Sequence, residues 1–117
     1  MHRVEAGRWN WILQAASGLL LVALVGLHWI AQHYVAAGGL RTHAEVVAYL
    51  RRAPILALEV TFLISVTAHA LLGVRAILLD LGLSQRAARW TNWGLLLIGA
   101  GTIGYGIDLA LTIIRQG

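Results

Sequence analysis

His69-Ala-Leu-Leu-Gly73-Val-Arg75-Ala-Ile-Leu-Leu-Asp80-Leu-Gly82 closes the second of three long apolar stretches and sets how the chain is read. At helical spacing His69, Gly73, Ala76 and Asp80 stand at i, i+4, i+7 and i+11 and share one face. Ser65 extends that face by a turn. The stripe carries an imidazole, then a small residue, then a carboxylate at the end of the apolar run. A glycine one turn from a histidine leaves room for a flat group to approach the backbone. An ionisable side chain inside lipid is costly, so His69 is read either as a ligand or as a hydrogen-bonded packing residue. Arg75 lies about 240° around the helix from His69, off the stripe, where it can snorkel or meet an anion.

The flanking sequence says why lipid is the right solvent. Of 117 residues, 59% are hydrophobic and 12% charged, against about a quarter charged in soluble domains. Mean hydropathy is +0.74. Three stretches, about 11–35, 55–81 and 90–114, each reach the roughly 20 residues a span requires. The fold expected is an all-α membrane protein of three transmembrane helices forming one domain over 1–117, with a short amphipathic helix between the first and second. No cleavable signal peptide is expected, because the first segment is too long for one. With no cysteine, disulfides, iron–sulfur ligation and thiol catalysis are excluded for this chain. The +4 formal charge rests on arginines at the flanks and reads as lipid head-group contact, with no nucleic-acid role.

The first segment carries Ser17-Gly18, then His28 and His33. His28 falls about 9 Å beyond the segment midpoint, still within hydrocarbon, and is either a ligand or part of a polar network. His33 is interfacial, as are Trp9, Trp11, Trp90 and Trp93. Ala36-Ala37-Gly38-Gly39 reads as a helix stop. Thr42 and Glu45 form a capping box opening the short helix, with Val46, Val47 and Leu50 expected to face the membrane and Arg51 and Arg52 the head groups. Pro54 opens the second span. Asp80 ends it against the helix dipole, so a compensating partner is expected. In the third span Gly99 and Gly106, and the pair Ala100 and Gly104, predict close helix packing. No motif for independent catalysis occurs.

The second-span segment fits H-x3-G-[IV]-R-x4-D-x-G, and the chain resembles the cytochrome b556-type membrane anchors of succinate:quinone oxidoreductase, complex II. Trp11-Ile-Leu-Gln14-Ala15-Ala16-Ser17-Gly18 resembles the family's first-helix pattern ending R-x-[ST]-G, and the three-span size agrees. The resemblance implies a haem b between two anchor chains, with His69 as an axial ligand of its iron. Arg75 and Asp80 would lie toward the propionates and the quinone end, with Ser17 beside the quinone site. Ala15 and Gln14 depart from it, standing where the family has the quinone-pocket arginine and the histidine before it. The implied partners are a second membrane anchor, an iron–sulfur subunit, a flavoprotein subunit and membrane lipid. The implied place is the cell inner (cytoplasmic) membrane, with the N-terminus cytoplasmic.

His28 and His69 sit on antiparallel segments and differ in depth by on the order of 10 Å, too far to share one iron. His28 would suit a second haem, as in some members of the family, but one haem completed by a partner chain is the simpler arrangement. Two other readings of the residues stay open: another b-type cytochrome subunit, including a fumarate reductase anchor, and a haem-free three-helix structural protein.

Overall fold

The computed structural model describes the backbone of residues 2–35 and 42–116, and the side chains of 7–34 and 42–116. Four α-helices follow one another: α1 (His2–Ile30), continued by a π-helical turn over Ala31–Val35, α2 (His43–Leu50), α3 (Ala53–Asp80) and α4 (Gln85–Gln116). Helices α1, α3 and α4 are long and apolar enough to cross a membrane. This is the three-span architecture expected, with the short helix where Thr42 and Glu45 predict it. The Ala36–Gly39 stop lies outside the described residues.

Each span is longer than predicted. At 28 and 32 residues, α3 and α4 measure about 42 and 48 Å, against a hydrocarbon layer of about 30 Å. At the ends of α4 the excess carries Gln85, Arg86, Arg89, Trp90, Arg115 and Gln116, whereas α3 ends on aliphatic residues and Asp80. The first helix already runs from His2, before the apolar stretch at Trp11, because helical hydrogen bonding continues where hydropathy has fallen away. Trp9 and Trp11 are 60% and 71% exposed, as suits a head-group anchor.

Helix α3 lies between its neighbours and makes the main contacts with both α1 and α4. Its contacts with α1 run in antiparallel register, Gln14 lying beside Gly73, Ser17 beside His69 and His28 beside Glu59. On the other side, α4 presents the two glycines spaced seven apart. A Cβ on Gly99 would stand 2.6 Å from Leu71 Cδ1, and one on Gly106 would collide with Leu63. Two leucine knobs of α3 therefore sit in glycine holes of α4, the close packing that replaces hydrophobic association in lipid. Gly104 meets nothing within 4 Å and Ala100 is exposed on the wall of the α3–α4 groove, so the second small-residue pair receives no leucine knob of the kind that Gly99 and Gly106 do.

Helix α2 differs from the surface-lying helix expected. Its capping box is present, with Glu45 N–H donating to Thr42 Oγ1 and Thr42 N–H to Glu45. Val47 and Tyr49, however, are buried against the ends of α3 and α4, and Tyr49 joins Ala31 and Ile55 in the best-packed cluster. Arg51 donates to the Ile114 carbonyl, capping α4 instead of reaching head groups. Burying an aromatic at the bundle end outweighs laying this short face on lipid. At the opposite end α3 stops at Leu81, and Gly82 takes a left-handed φ of 78°, which glycine adopts without steric cost.

Candidate functional site

Two polar clusters bridge α1 and α3. In the first, His69 Nδ1 lies 2.9 Å from Ser17 Oγ. Ser17 Oγ also donates to the Gln14 carbonyl at 3.0 Å. A hydroxyl has one hydrogen. With it committed to the carbonyl, Ser17 accepts from His69 Nδ1–H, and Nε2 keeps its lone pair. Gly18 makes the ring's position possible, since a Cβ there would stand 3.1 Å from His69 Cε1.

One turn toward the α1 N-terminus, Gln14 fills the space at Gly73, its Nε2 standing 3.2 Å from where a Cβ would be. The flat neighbour expected beside Gly73 is thus the chain's own amide. Gln14 Oε1 is buried with no hydrogen-bond partner. Such an orphan acceptor costs about 1–3 kcal/mol, and it marks this cluster as polar and incomplete. Asn10, Gln14, Leu72, Arg75, Leu79 and Asp80 wall a groove of about 330 Å³ just below.

Arg75 is half-buried and donates from Nε to Asn92 Oδ1 of α4 at 2.7 Å. It also walls an apolar groove between α3 and α4, of about 460 Å³. Asp80 is exposed at the groove mouth. The expected compensating partner for its carboxylate is not found among the described residues; an end position at the head-group boundary leaves it to water instead.

The second cluster sits about ten residues further along α3, or about 15 Å in depth at 1.5 Å per residue, more than the sequence spacing suggests. His28 Nδ1 lies 2.8 and 2.6 Å from the two oxygens of Glu59, and Tyr49 donates its hydroxyl to Glu59 Oε1 at 2.6 Å. The His28 ring stacks on Phe62 with centroids 4.9 Å apart. Burial first, and then the Glu59 carboxylate, push the Tyr49 hydroxyl above its ordinary pKa. That keeps it a donor.

Of the residues singled out in sequence, Ser17 and His69 meet, Arg75 and Asp80 share the groove below, and His28 stands apart. Among the described residues no three His, Cys, Asp or Glu side chains converge as for a metal ion. Among the described residues His69 has no second imidazole beside it, and His28 has only the Glu59 carboxylate. The sequence alone does not mark Gln14, Asn10, Glu59, Tyr49 or Asn92 as site residues. Asn10, Gln14 and Ser17 were detectable, at i, i+4 and i+7 on one face of α1.

Three apolar spans, polar side chains gathered between two of them and a short helix sealing one end define a small polytopic membrane subunit whose polar site opens toward one membrane boundary. The chain belongs to the succinate dehydrogenase/fumarate reductase transmembrane subunit family, whose profile matches residues 1–107. Among curated proteins it is 38% identical to the succinate dehydrogenase hydrophobic membrane anchor subunit of Archaeoglobus fulgidus. That match spans 76 residues, 65% of this chain and 64% of the relative. It is 29% identical over 115 residues to the subunit of the same name from Thermoplasma acidophilum, covering 98% of this chain and 94% of the relative. No solved structure matches.

Proposed function

We propose that this chain is a haem b-binding membrane anchor of a succinate:quinone oxidoreductase. It holds the iron–sulfur and flavoprotein subunits at the inner (cytoplasmic) membrane of the cell, with its N-terminus cytoplasmic, and walls part of the quinone site. The observation that carries this reading is the His69–Ser17 pair beside Gly18. An imidazole fixed at membrane depth by its Nδ1, with Nε2 left as the basic nitrogen and a glycine clearing its edge, has the ligand's chemistry. Haem b, when bound, supplies a one-electron carrier between iron–sulfur centres and quinone.

This chain's residues prepare the site around that carrier. Ser17 fixes the tautomer and orientation of His69. Arg75, steadied by Asn92, supplies a positive charge for a propionate or a quinone oxygen. Gln14 and Asn10 bring amides to the groove, the hydrogen-bonding chemistry a quinone carbonyl requires. Asp80, at the mouth, is placed to orient a water or a neighbouring side chain on the path of a proton entering the site. With one imidazole at the level of His69, haem would be held by His69 from this chain and would need a further ligand from a second anchor subunit. His28 is the candidate for a second haem. Its engagement with Glu59, Tyr49 and Phe62 favours a packing role and a single haem on His69.

The test is a dithionite-reduced minus oxidised spectrum of the complex isolated through this chain, beside His69→Ala. A b-type α band lost in the variant supports the reading, and a band halved in it assigns His28 a second haem. A haem-free native preparation overturns it. Asp80→Asn with unchanged quinone turnover and quinone affinity would remove Asp80 from the proton route.

A further inference from the structure

A further groove lies away from both polar clusters. It encloses about 630 Å³ and is lined by Arg86, Arg89, Trp90, Trp93 and Leu97. At 100° per residue these five fall within about 60° of one line along α4. Gly99 and Gly106, which receive the α3 leucines, fall on the opposite side of the helix. The groove therefore faces outward from the chain. Trp90, Trp93 and Leu97 are 70%, 62% and 70% exposed. Neither arginine has an ion-pair or hydrogen-bond partner among the described residues.

Polarity changes in one direction along this line. Two guanidiniums come first, at the helix end that lies beyond the hydrocarbon. Two indoles follow at the head-group level, and then an aliphatic residue inside the apolar run. From Arg86 to Leu97 the rise is about 16 Å, close to one leaflet of head group and upper acyl chain. We propose that this groove binds one anionic phospholipid. Its phosphate is held by Arg86 and Arg89, its glycerol region lies against Trp90 and Trp93, and an acyl chain runs along Leu97. Two unpaired guanidiniums one turn apart match a phosphate in charge and hydrogen-bonding geometry, and indoles favour that layer. A soluble protein partner would account for the arginines but not for the graded descent into hydrocarbon.

The test is native mass spectrometry of the detergent-solubilised complex, delipidated and titrated with phosphatidylglycerol, phosphatidylcholine or inorganic phosphate. The expected result is one tightly retained phosphatidylglycerol. Binding should weaken roughly tenfold or more in Arg86→Gln/Arg89→Gln, as two basic contacts near the surface predict, and to a lesser degree in Trp93→Leu, which keeps the charges. Arg8→Gln, an exposed arginine at the same end of the bundle, should leave it unchanged. Equal binding of phosphatidylcholine, an equal loss in Arg8→Gln, or displacement by inorganic phosphate at the same concentration would overturn the site. So would a double variant that keeps its lipid while shedding soluble polypeptides, which would make the patch a protein-docking surface. Helicity of each variant is checked by circular dichroism. Should the double variant not fold, retention of the lipid by Trp93→Leu at unchanged affinity would by itself overturn the proposal.

Discussion

The two imidazoles between α1 and α3 are held in the same way and left in different states. Each is tied by Nδ1 to a side chain of the facing helix. His28 meets a carboxylate that a buried tyrosine also serves, with a phenyl ring on one face. His69 meets a neutral hydroxyl whose proton is already committed, beside glycines and next to an amide oxygen with no partner. The His28 cluster satisfies itself and joins three helices. The His69 cluster is preorganised but unfinished. A buried polar network that closes on itself contributes stability, whereas one with an open acceptor and a free basic nitrogen is built for something from outside the chain.

The sharpest way to break this contrast is His69→Ala. It should abolish the b-type α band while helicity by circular dichroism stays native, whereas His28→Ala should keep the band. Next in size is Glu59→Ala, which strands both His28 and Tyr49. A loss of about 3 kcal/mol is expected from leaving two part-buried groups without their hydrogen-bond partner. It is read as a fall in the detergent melting temperature with the spectrum unchanged; a lost spectrum with unchanged melting would reverse the roles of the two clusters. Gly18→Ala should cost less, about 1–2 kcal/mol, since the His69 ring must yield a few tenths of an ångström. Its signature is a shifted or broadened α band. Smallest is Ser17→Ala, worth about 1 kcal/mol. Removing the Nδ1 partner makes the imidazole less basic, so the haem midpoint should move upward in a redox titration while His69 stays bound.

The spans, the capping box at Thr42 and the glycine holes of α4 were readable because each is a local pattern: hydropathy over a window, an i, i+3 pair, a period of seven. His69 was readable because a histidine in mid-span is conspicuous. The partnership of His28 with Glu59 was not, because the two residues are 31 apart in sequence and no local pattern links them. Only the antiparallel register of α1 on α3 brings them level, and pairing Ser17 with His69 would have fixed that register. Gln14 departs from the family pattern, yet its spacing from Asn10 and Ser17 places it on the polar face of α1. Arg75 and Asn92 needed the α3–α4 packing, which the glycines allow but do not index. The inward turn of Val47 and Tyr49 escaped because a short helix with apolar residues on one side reads the same whether that side meets lipid or protein.

The central position of α3 has a consequence for how the molecule is made. As the polypeptide emerges, α1 enters the membrane first with a polar edge of Gln14, Ser17 and His28 and no neighbour to cover it. Only when α3 arrives can both clusters form, and they form together, because one antiparallel register satisfies both. The final span contributes no side chain to either imidazole. A chain stopped between the second and third spans would already carry every side chain of both histidine clusters, so both depend on the arrival of α3 and not on α4.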